Sequence, residues 1–441
     1  MRVEVQDLSE VEKILKIEIP QEKVSEIVDE VTRELRKNAK LKGFRKGKVP
    51  VYLVKKLFKE EIEERSVEKL IEKTLSEAIK EKELEPLLYP KLEEVGELKE
   101  GEPFSYSVLV EIRPEINLKK EDYIGIEVER DSDEVSDEEV EAVIQELRYS
   151  FAKLEKVQDE PIEKRHVAVI KFVAYDGDKP VPGHQADALF IDVGTGEFNE
   201  KVEEALIGKK VGDKFSVEVE YPEEGLNPYL AGKKIRYEIE VKEVYKRELK
   251  ELTDEFVKEL NLGFNTVDEL RKSVRNRLQQ EKKAKNDNAL KERLLAKILE
   301  KVDIKVPKRY VDIKAQQLVD KIIEGFEREG FNLEAANITP ERLRERVYHL
   351  AEIQAKEELL LEKIAELEGI KIPEEEINKF IENISKGLKV KREDAERMVY
   401  YNILPKQLAQ KTLDFLLKNA KVVIRENEKG MEQKESKQEG E

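Results

Sequence analysis

The chain of 441 residues has no cysteine and no tryptophan, and only three histidines and three methionines. Without cysteine there are no disulfides, no thiolate metal sites and no sulfur nucleophile. His166, His184 and His349 lie far apart and without ligand spacing, which argues against a zinc centre or a Ser-His-Asp arrangement. No metal and no other cofactor is expected. Long apolar runs are missing as well: no segment approaches the ~18 residues needed to cross a bilayer. The opening MRVEVQDLSEVEK lacks the basic and apolar regions of a secretory signal. No membrane partner and a cytoplasmic location follow as expectations.

What fills the sequence instead is charge. Charged residues make up 41%, with 99 acidic against 82 basic side chains and a net charge of -17. Mean hydropathy is -0.64. This length suits about three domains at roughly 100–200 residues each, with much surface per residue. Abundant Lys and Glu beside little Met fits a thermophile's surface ion pairs. One stretch breaks the acidic trend. From Arg36 to Lys48 every charged residue is basic: Arg36, Lys37, Lys40, Lys42, Arg45, Lys46 and Lys48. Phe44 sits at its centre, and Gly43 and Gly47 let the backbone turn sharply. An acidic chain that presents one basic tip reserves it for a polyanion. A solvated helix-helix turn would use the same residues, and charge alone leaves both readings open.

Periodicity divides the chain. In residues 1–115, Val3 and Val5, then Ile17 and Ile19, alternate with polar residues as half-buried strands. Val24, Ile27, Val28, Val31 and Leu35 form one helical face. Pro50 is placed to open a second helix, running through Leu53, Val54 and Leu57 to Ile79. Phe104, Tyr106, Val108 and Val110 alternate as a later strand. An α/β head with the basic loop at its tip is predicted. Residues 116–160 read as an acidic linker packing with the helical part, with one helix near Asp137–Lys153. Residues 161–245 read as a small antiparallel β-domain, with a short helix at Asn199–Leu206. Residues 246–425 read as helices: Val267–Leu278, Leu290–Leu299, Tyr310–Phe326, Leu343–Leu367, Glu374–Ile384 and Ala395–Leu417. Ile304-Lys305-Val306-Pro307 and Ile370-Lys371-Ile372-Pro373 are two similar extended steps into helices opened by proline. Residues 426–441 have Met431 as their one large apolar side chain and read as a disordered acidic tail.

Gly43-Phe44-Arg45-Lys46-Gly47-Lys48-Val49-Pro50 resembles the ribosome-docking signature of the trigger factor family of bacterial chaperones. Lys246-Arg247-Glu248-Leu249 through Leu252-Thr253 and Glu255-Phe256 is similar to that family's junction between β-domain and helical domain. The middle of the chain resembles an FKBP-type prolyl isomerase, on Ile170-Lys171-Phe172-Val173, Asp176-Gly177, Gly194-Thr195-Gly196, Leu206-Ile207-Gly208-Lys209 and Tyr221-Pro222-Glu223-Glu224. The resemblance implies a multidomain α+β protein: an α/β ribosome-binding head, an FKBP-like antiparallel β-domain, and an elongated all-α domain with helical arms. It implies docking by Gly43, Phe44, Arg45, Lys46, Gly47 and Lys48 on the large ribosomal subunit near the tunnel exit, against protein and RNA. It also implies ATP-independent binding of nascent and unfolded polypeptides, with links to cell division and protein transport. Whether the free protein forms a homodimer is left open.

By the same resemblance Phe172, Leu189, Phe198 and Tyr237 wall a proline pocket and make the protein a peptidyl-prolyl cis-trans isomerase. Here the sequence departs from the family. Pro180 stands where an aromatic is expected, Asn199-Glu200-Lys201-Val202 replaces Ile-Pro-Gly-Phe, and Gly225-Leu226 replaces Tyr-His. Polar side chains and a charge at such a cup would cost free energy to desolvate, so an eroded pocket and weak activity are expected. Phe172 and Tyr237 would equally suit an ordinary barrel core. Two rival functions fail. Gly43-x-x-x-Gly47-Lys48 is one residue short of a phosphate loop, ends in Val49 where a hydroxyl belongs, and follows a helix. A free-standing RNA binder would need a second basic surface and stacking aromatics.

Overall fold

The computed structural model describes residues 1–39, 44, 47–99, 101–222, 230–328 and 338–425. Gly43, Arg45, Lys46, Gly225, Leu226 and the 426–441 tail, which carry expectations above, lie outside the described residues. The chain forms two compact units. One comprises Met1–Ile124, Leu295–Leu318 and Val347–Asn419; the other comprises Gly125–Leu294, Val319–Arg346 and Ala420–Glu441.

The first unit begins with the head. Strands β1 (Arg2–Asp7), β2 (Glu12–Ile19), β3 (Lys91–Val95) and β4 (Phe104–Glu111) form an antiparallel sheet in the order β1-β2-β4-β3. Helices α1 (Gln21–Asn38), α2 (Val51–Leu57) and α3 (Lys59–Glu81) lie between β2 and β3 in sequence. Every residue of the predicted α1 face, Val24 to Leu35, is buried, in one cluster with Leu15, Ile17, Val108 and Val110. The single helix expected after Pro50 bends at Phe58, whose ψ of 31° departs from helical geometry. Hydrogen bonding continues through the bend, from Phe58 N–H to Val54 and from Ile62 N–H to Phe58, each at 2.9 Å.

A short helix α4 (Lys120–Tyr123) leads out of the head. In the second unit, β5 (Glu127–Asp131) and α5 (Asp137–Ser150) precede the β-domain. Its sheet holds β6 (Lys153–Val157), β7 (Val167–Asp176), β8 (Lys179–Asp192), β9 (Lys214–Glu220) and β10 (Lys234–Glu248), with α6 (Glu200–Leu206) between β8 and β9. Strand order is β6-β10-β7-β8, and β9 also pairs with β10. The segment read as linker therefore contributes β6 to the sheet: Val157 lies opposite Val244, and Lys153 opposite Glu248. The first and last strands of the β-domain are neighbours.

The helices that follow are α7 (Asp254–Glu259), α8 (Val267–Leu299), α9 (Lys308–Arg328), α10 (Pro340–Glu368), α11 (Glu374–Leu388), α12 (Arg392–Met398) and α13 (Leu404–Asn419). The two helices expected in 267–299 are one. Within the first unit, Ala315 of α9 packs with Ala351 and Ala355 of α10, small side chains that let backbones approach closely. Both proline steps open helices as predicted: Val311 N–H reaches Pro307 C=O at 3.2 Å, and Ile377 N–H reaches Pro373 C=O at 3.1 Å. Helix α10 ends at Gly369, whose φ of 65° permits the Ile370 N–H to close back on Ala365 C=O at 2.9 Å. Between α12 and α13 the chain widens into a π turn, Val399–Ile403, with Leu404 N–H donating to Val399 C=O. Pro405 explains the widening, because it offers no N–H to Tyr401 C=O and its ring crowds that carbonyl. In the second unit a final strand, β11 (Lys421–Arg425), pairs in parallel with β5. The other side of β5 is occupied from α8. Arg293 donates to Glu129 C=O at 3.0 Å, and Asn286 donates to Asp131 C=O at 3.1 Å.

Candidate functional site

The basic loop is fixed at both ends. At its start, Arg36 and Lys37 occupy the last turn of α1, where cations are favoured by the helix dipole. Arg36 Nε donates to Val49 C=O at 2.7 Å, tying the end of α1 to the residue before Pro50. Ala39, Val49 and Val54 are buried in the head's core, so apolar burial anchors both flanks. Gly47 has φ of 78°, a left-handed conformation that would strain most other residues. Phe44 is 41% exposed and Lys48 is exposed. An exposed phenylalanine inside a basic run suits a partner that has both anionic and apolar surface.

The four residues named for the proline pocket belong to one cluster in the β-domain. Ala168, Ile170, Phe172 and Ala174 of β7 are buried and alternate with exposed Lys171, while Ile235, Tyr237, Ile239 and Val241 of β10 are buried on the same side. Phe172 faces Ile239 and Ala186 across the sheet. The Phe172 and Phe198 ring centroids are 5.2 Å apart at 68°, and those of Phe198 and Tyr237 are 5.9 Å apart at 77°. Phe172 and Tyr237 complete the triangle at 6.0 Å. These are favourable edge-on and tilted contacts. Half-buried Leu189 and Phe198 pack against the same cluster. Tyr237 is 3% exposed, and its hydroxyl lies 2.6 Å from that of Tyr221. Burial first, and then the bond to Tyr221, push the Tyr237 phenol well above its ordinary range, so it stays neutral.

The expected intruders sit elsewhere. Asn199 caps α6, its side-chain oxygen accepting from Lys201 N–H at 3.1 Å and Val202 N–H at 3.3 Å. Glu200 and Lys201 are exposed, and Val202 is fully buried in the domain core. Pro180 is exposed on β8. Two polar groups escaped sequence reasoning. Tyr221 was legible only as part of a motif, although its hydroxyl partners Tyr237. Glu203 is 1% exposed, with its carboxylate bound to three backbone N–H groups. An acid between core residues Val202 and Leu206 was the available signal.

A third surface surrounds the π turn. Ile381, Ala395 and Val399 make a small core with Phe380, Val390 and Leu404. Outside it, Leu388, Met398, Tyr400 and Tyr401 remain exposed, Tyr401 at 80%. Among the described residues no group of His, Asp and Glu is arranged to hold a metal, and no helix is long and apolar enough to cross a membrane.

The family pattern described as "Bacterial trigger factor protein (TF)" matches residues 1–147, and "Bacterial trigger factor protein (TF) C-terminus" matches residues 266–424. A curated "Trigger factor" from Shouchella clausii is 30% identical over 423 residues, covering 94% of this chain and 97% of that protein. Another, from Geobacter sulfurreducens, is 32% identical over 423 residues with the same coverage. A solved structure titled "Promiscuous Substrate Recognition in Folding and Assembly Activities of the Trigger Factor Chaperone" is 26% identical, the match covering 95% of this chain and 99% of that one with a TM-score of 0.44. The matches to both ends of the chain define a bacterial protein-folding chaperone of multidomain α+β class. The chain belongs to the trigger factor family.

Proposed function

We propose that this chaperone docks on the large ribosomal subunit near the tunnel exit through the loop at residues 43–48, and holds nascent and unfolded chains without ATP in the cytoplasm. The observation that carries the reading is Phe44, exposed within the basic run Arg36–Lys48 of an acidic protein, on a loop whose flanks are buried. Phosphates and a mixed protein surface match that chemistry, and counterion release makes such binding salt-sensitive. The exposed residues about the π turn offer apolar area to clients at roughly 25 cal/mol per Å². Binding an unfolded chain in this way needs only mass action. The test is co-sedimentation with ribosomes at rising salt, comparing the wild type with a variant carrying alanine at Phe44, Arg45 and Lys46. Undiminished binding of the variant would overturn the docking assignment.

The β-domain is assigned a weak peptidyl-prolyl isomerase activity. Rotation about a peptide bond faces a barrier of ~18–20 kcal/mol that resonance maintains. A dry aromatic cup lowers it by weakening hydration of the planar amide. Phe172, Phe198 and Tyr237 supply such walls, with Leu189 beside them. The family's further apolar wall is replaced by Asn199, which is committed to the α6 cap, and by Val202, which faces the core. Three aromatic walls without those additions support slow turnover.

A further inference from the structure

Glu203 lies in the first turn of α6, buried to 1% exposure. Burying a carboxylate is costly unless its oxygens find donors. One oxygen accepts from Gly194 N–H at 2.9 Å and Gly196 N–H at 2.8 Å; the other accepts from Phe198 N–H at 3.0 Å. These donors belong to the turn between β8 and α6, where Gly194 and Gly196 take φ of 92° and 77°. The intervening amides are served from within the turn: Thr195 N–H reaches Asp192 C=O at 3.4 Å, and Glu197 N–H reaches Thr195 Oγ1 at 3.4 Å. Alternate amides of the turn therefore point at a single carboxylate, and the last of them belongs to the residue whose ring packs on Phe172 and Tyr237.

We propose that Glu203 is a positioning residue for proline-peptide isomerisation, acting through its three backbone hydrogen bonds to hold Phe198 as a wall of the aromatic cup. The proposal rests on the reading of that cup as a proline site. Only an ionised carboxylate offers acceptors alone. A glutamine would turn an NH₂ group against at least one of the N–H donors, and an aspartate is one methylene too short to reach all three.

The experiment is a double-mutant cycle in the full chain, using a tetrapeptide with a Phe-Pro bond as substrate. Glu203→Gln should lower kcat/KM about tenfold, as expected when a contact group is misplaced by a fraction of an ångström. In a Phe198→Ala background the same substitution should change it less than about twofold, because the group it positions is gone. Glu203→Asp should fall between, which covers the case of a glutamine variant that folds poorly. Amide hydrogen exchange at Gly194, Gly196 and Phe198 should accelerate in both Glu203 variants. Equal losses with and without the Phe198 ring, or no loss with it, would overturn the positioning role. If wild-type turnover does not exceed the uncatalysed rate, the proline-site reading fails, and the exchange data then say whether the clamp itself stands. Unchanged exchange would refute the clamp independently of catalysis.

Discussion

Two phenylalanines, Phe44 and Phe198, stand at the centres of the two proposed sites, and their surroundings differ. Phe44 is 41% exposed on a loop fixed at its flanks by Val49, Val54 and the Arg36–Val49 hydrogen bond. Phe198 is half-buried between two other rings, and its backbone N–H is held by a buried carboxylate. The first arrangement would separate recognition from stability, because side chains exposed on such a loop contribute little to the fold. The second joins them, because the rings that would hold a proline are also core. A surface loop can change its partner without unfolding its host; a cup built from the core cannot.

The largest effect should come from breaking the loop alone. Alanine at Phe44, Arg45 and Lys46 together should weaken ribosome binding by about 100-fold or more, since an aromatic anchor and two cations go at once. The stability read from urea unfolding should change by no more than ~0.5 kcal/mol. A variant that both loses binding and unfolds early would erase the contrast. Phe172→Ala is the counterpart for the cup. It should cost about 3–5 kcal/mol in stability of the β-domain and remove isomerisation together with it, as read by urea unfolding and a proline-peptide assay. Loss of activity at full stability would show that the cup is as separable as the loop.

Excising the β-domain should have a smaller effect. Because β6 pairs with the end of β10 as far as Lys153 and Glu248, removing 153–248 takes the whole sheet, whereas a cut at 161 strands β6 without its partner. With the ends joined by a short linker, suppression of client aggregation should change by less than about twofold, measured by light scattering, since terminal strands that lie side by side permit excision. If suppression vanishes and returns when the β-domain alone is added, client binding resides there.

The smallest effect concerns a charge that is also built into packing. Glu111 is 1% exposed, and its carboxylate pairs with Arg309, whose Nε lies 3.0 Å away. Burial holds its carboxyl above the ordinary glutamate range, against the pull of Arg309. Between the ordinary and the elevated value the folded chain binds more protons than the unfolded chain. The stability this contributes is complete below the ordinary glutamate range and is lost as pH rises through the elevated value. Glu111→Gln should flatten that decline, so the melting temperature at neutral pH gains roughly 2 °C or less relative to acid conditions. Parallel melting profiles for the two proteins would refute it.

Much of the head and β-domain was legible because their strands and helices alternate apolar and polar residues at clean periods. The face of α1 from Val24 to Leu35 and the alternation of Ile235 to Val241 lie as read. Periodicity alone divides helix α8 into two pieces because residues 279–289 carry no large apolar side chain. Good helix formers keep it continuous there, and polar contacts serve it instead: Lys282 meets Glu139 at 2.8 Å, and Asn286 meets Asp133 at 2.8 Å. The π turn was hidden because Pro405 can end, kink or widen a helix, and only packing selects among these. Both β6 and β11 are five residues long with mostly exposed side chains, so no buried face marks them as strands. Of the cup, the rings were legible and the clamp was not, since an acid on a helix is ordinarily solvated. Of the loop, composition gave the charge but not the anchoring bond from Arg36.

The pairing of β11 with β5 has a consequence in time. Lys421 lies beside Glu127 and Arg425 beside Asp131, so one strand is made nearly three hundred residues after its partner. At ~5–20 residues per second, synthesis leaves β5 waiting for roughly 15–60 s. During that interval Arg293 and Asn286 of α8 can already serve one edge of β5, while the other waits for residues 421–425. Of the strand pairings described, this one forms latest in synthesis, because it needs residues 421–425.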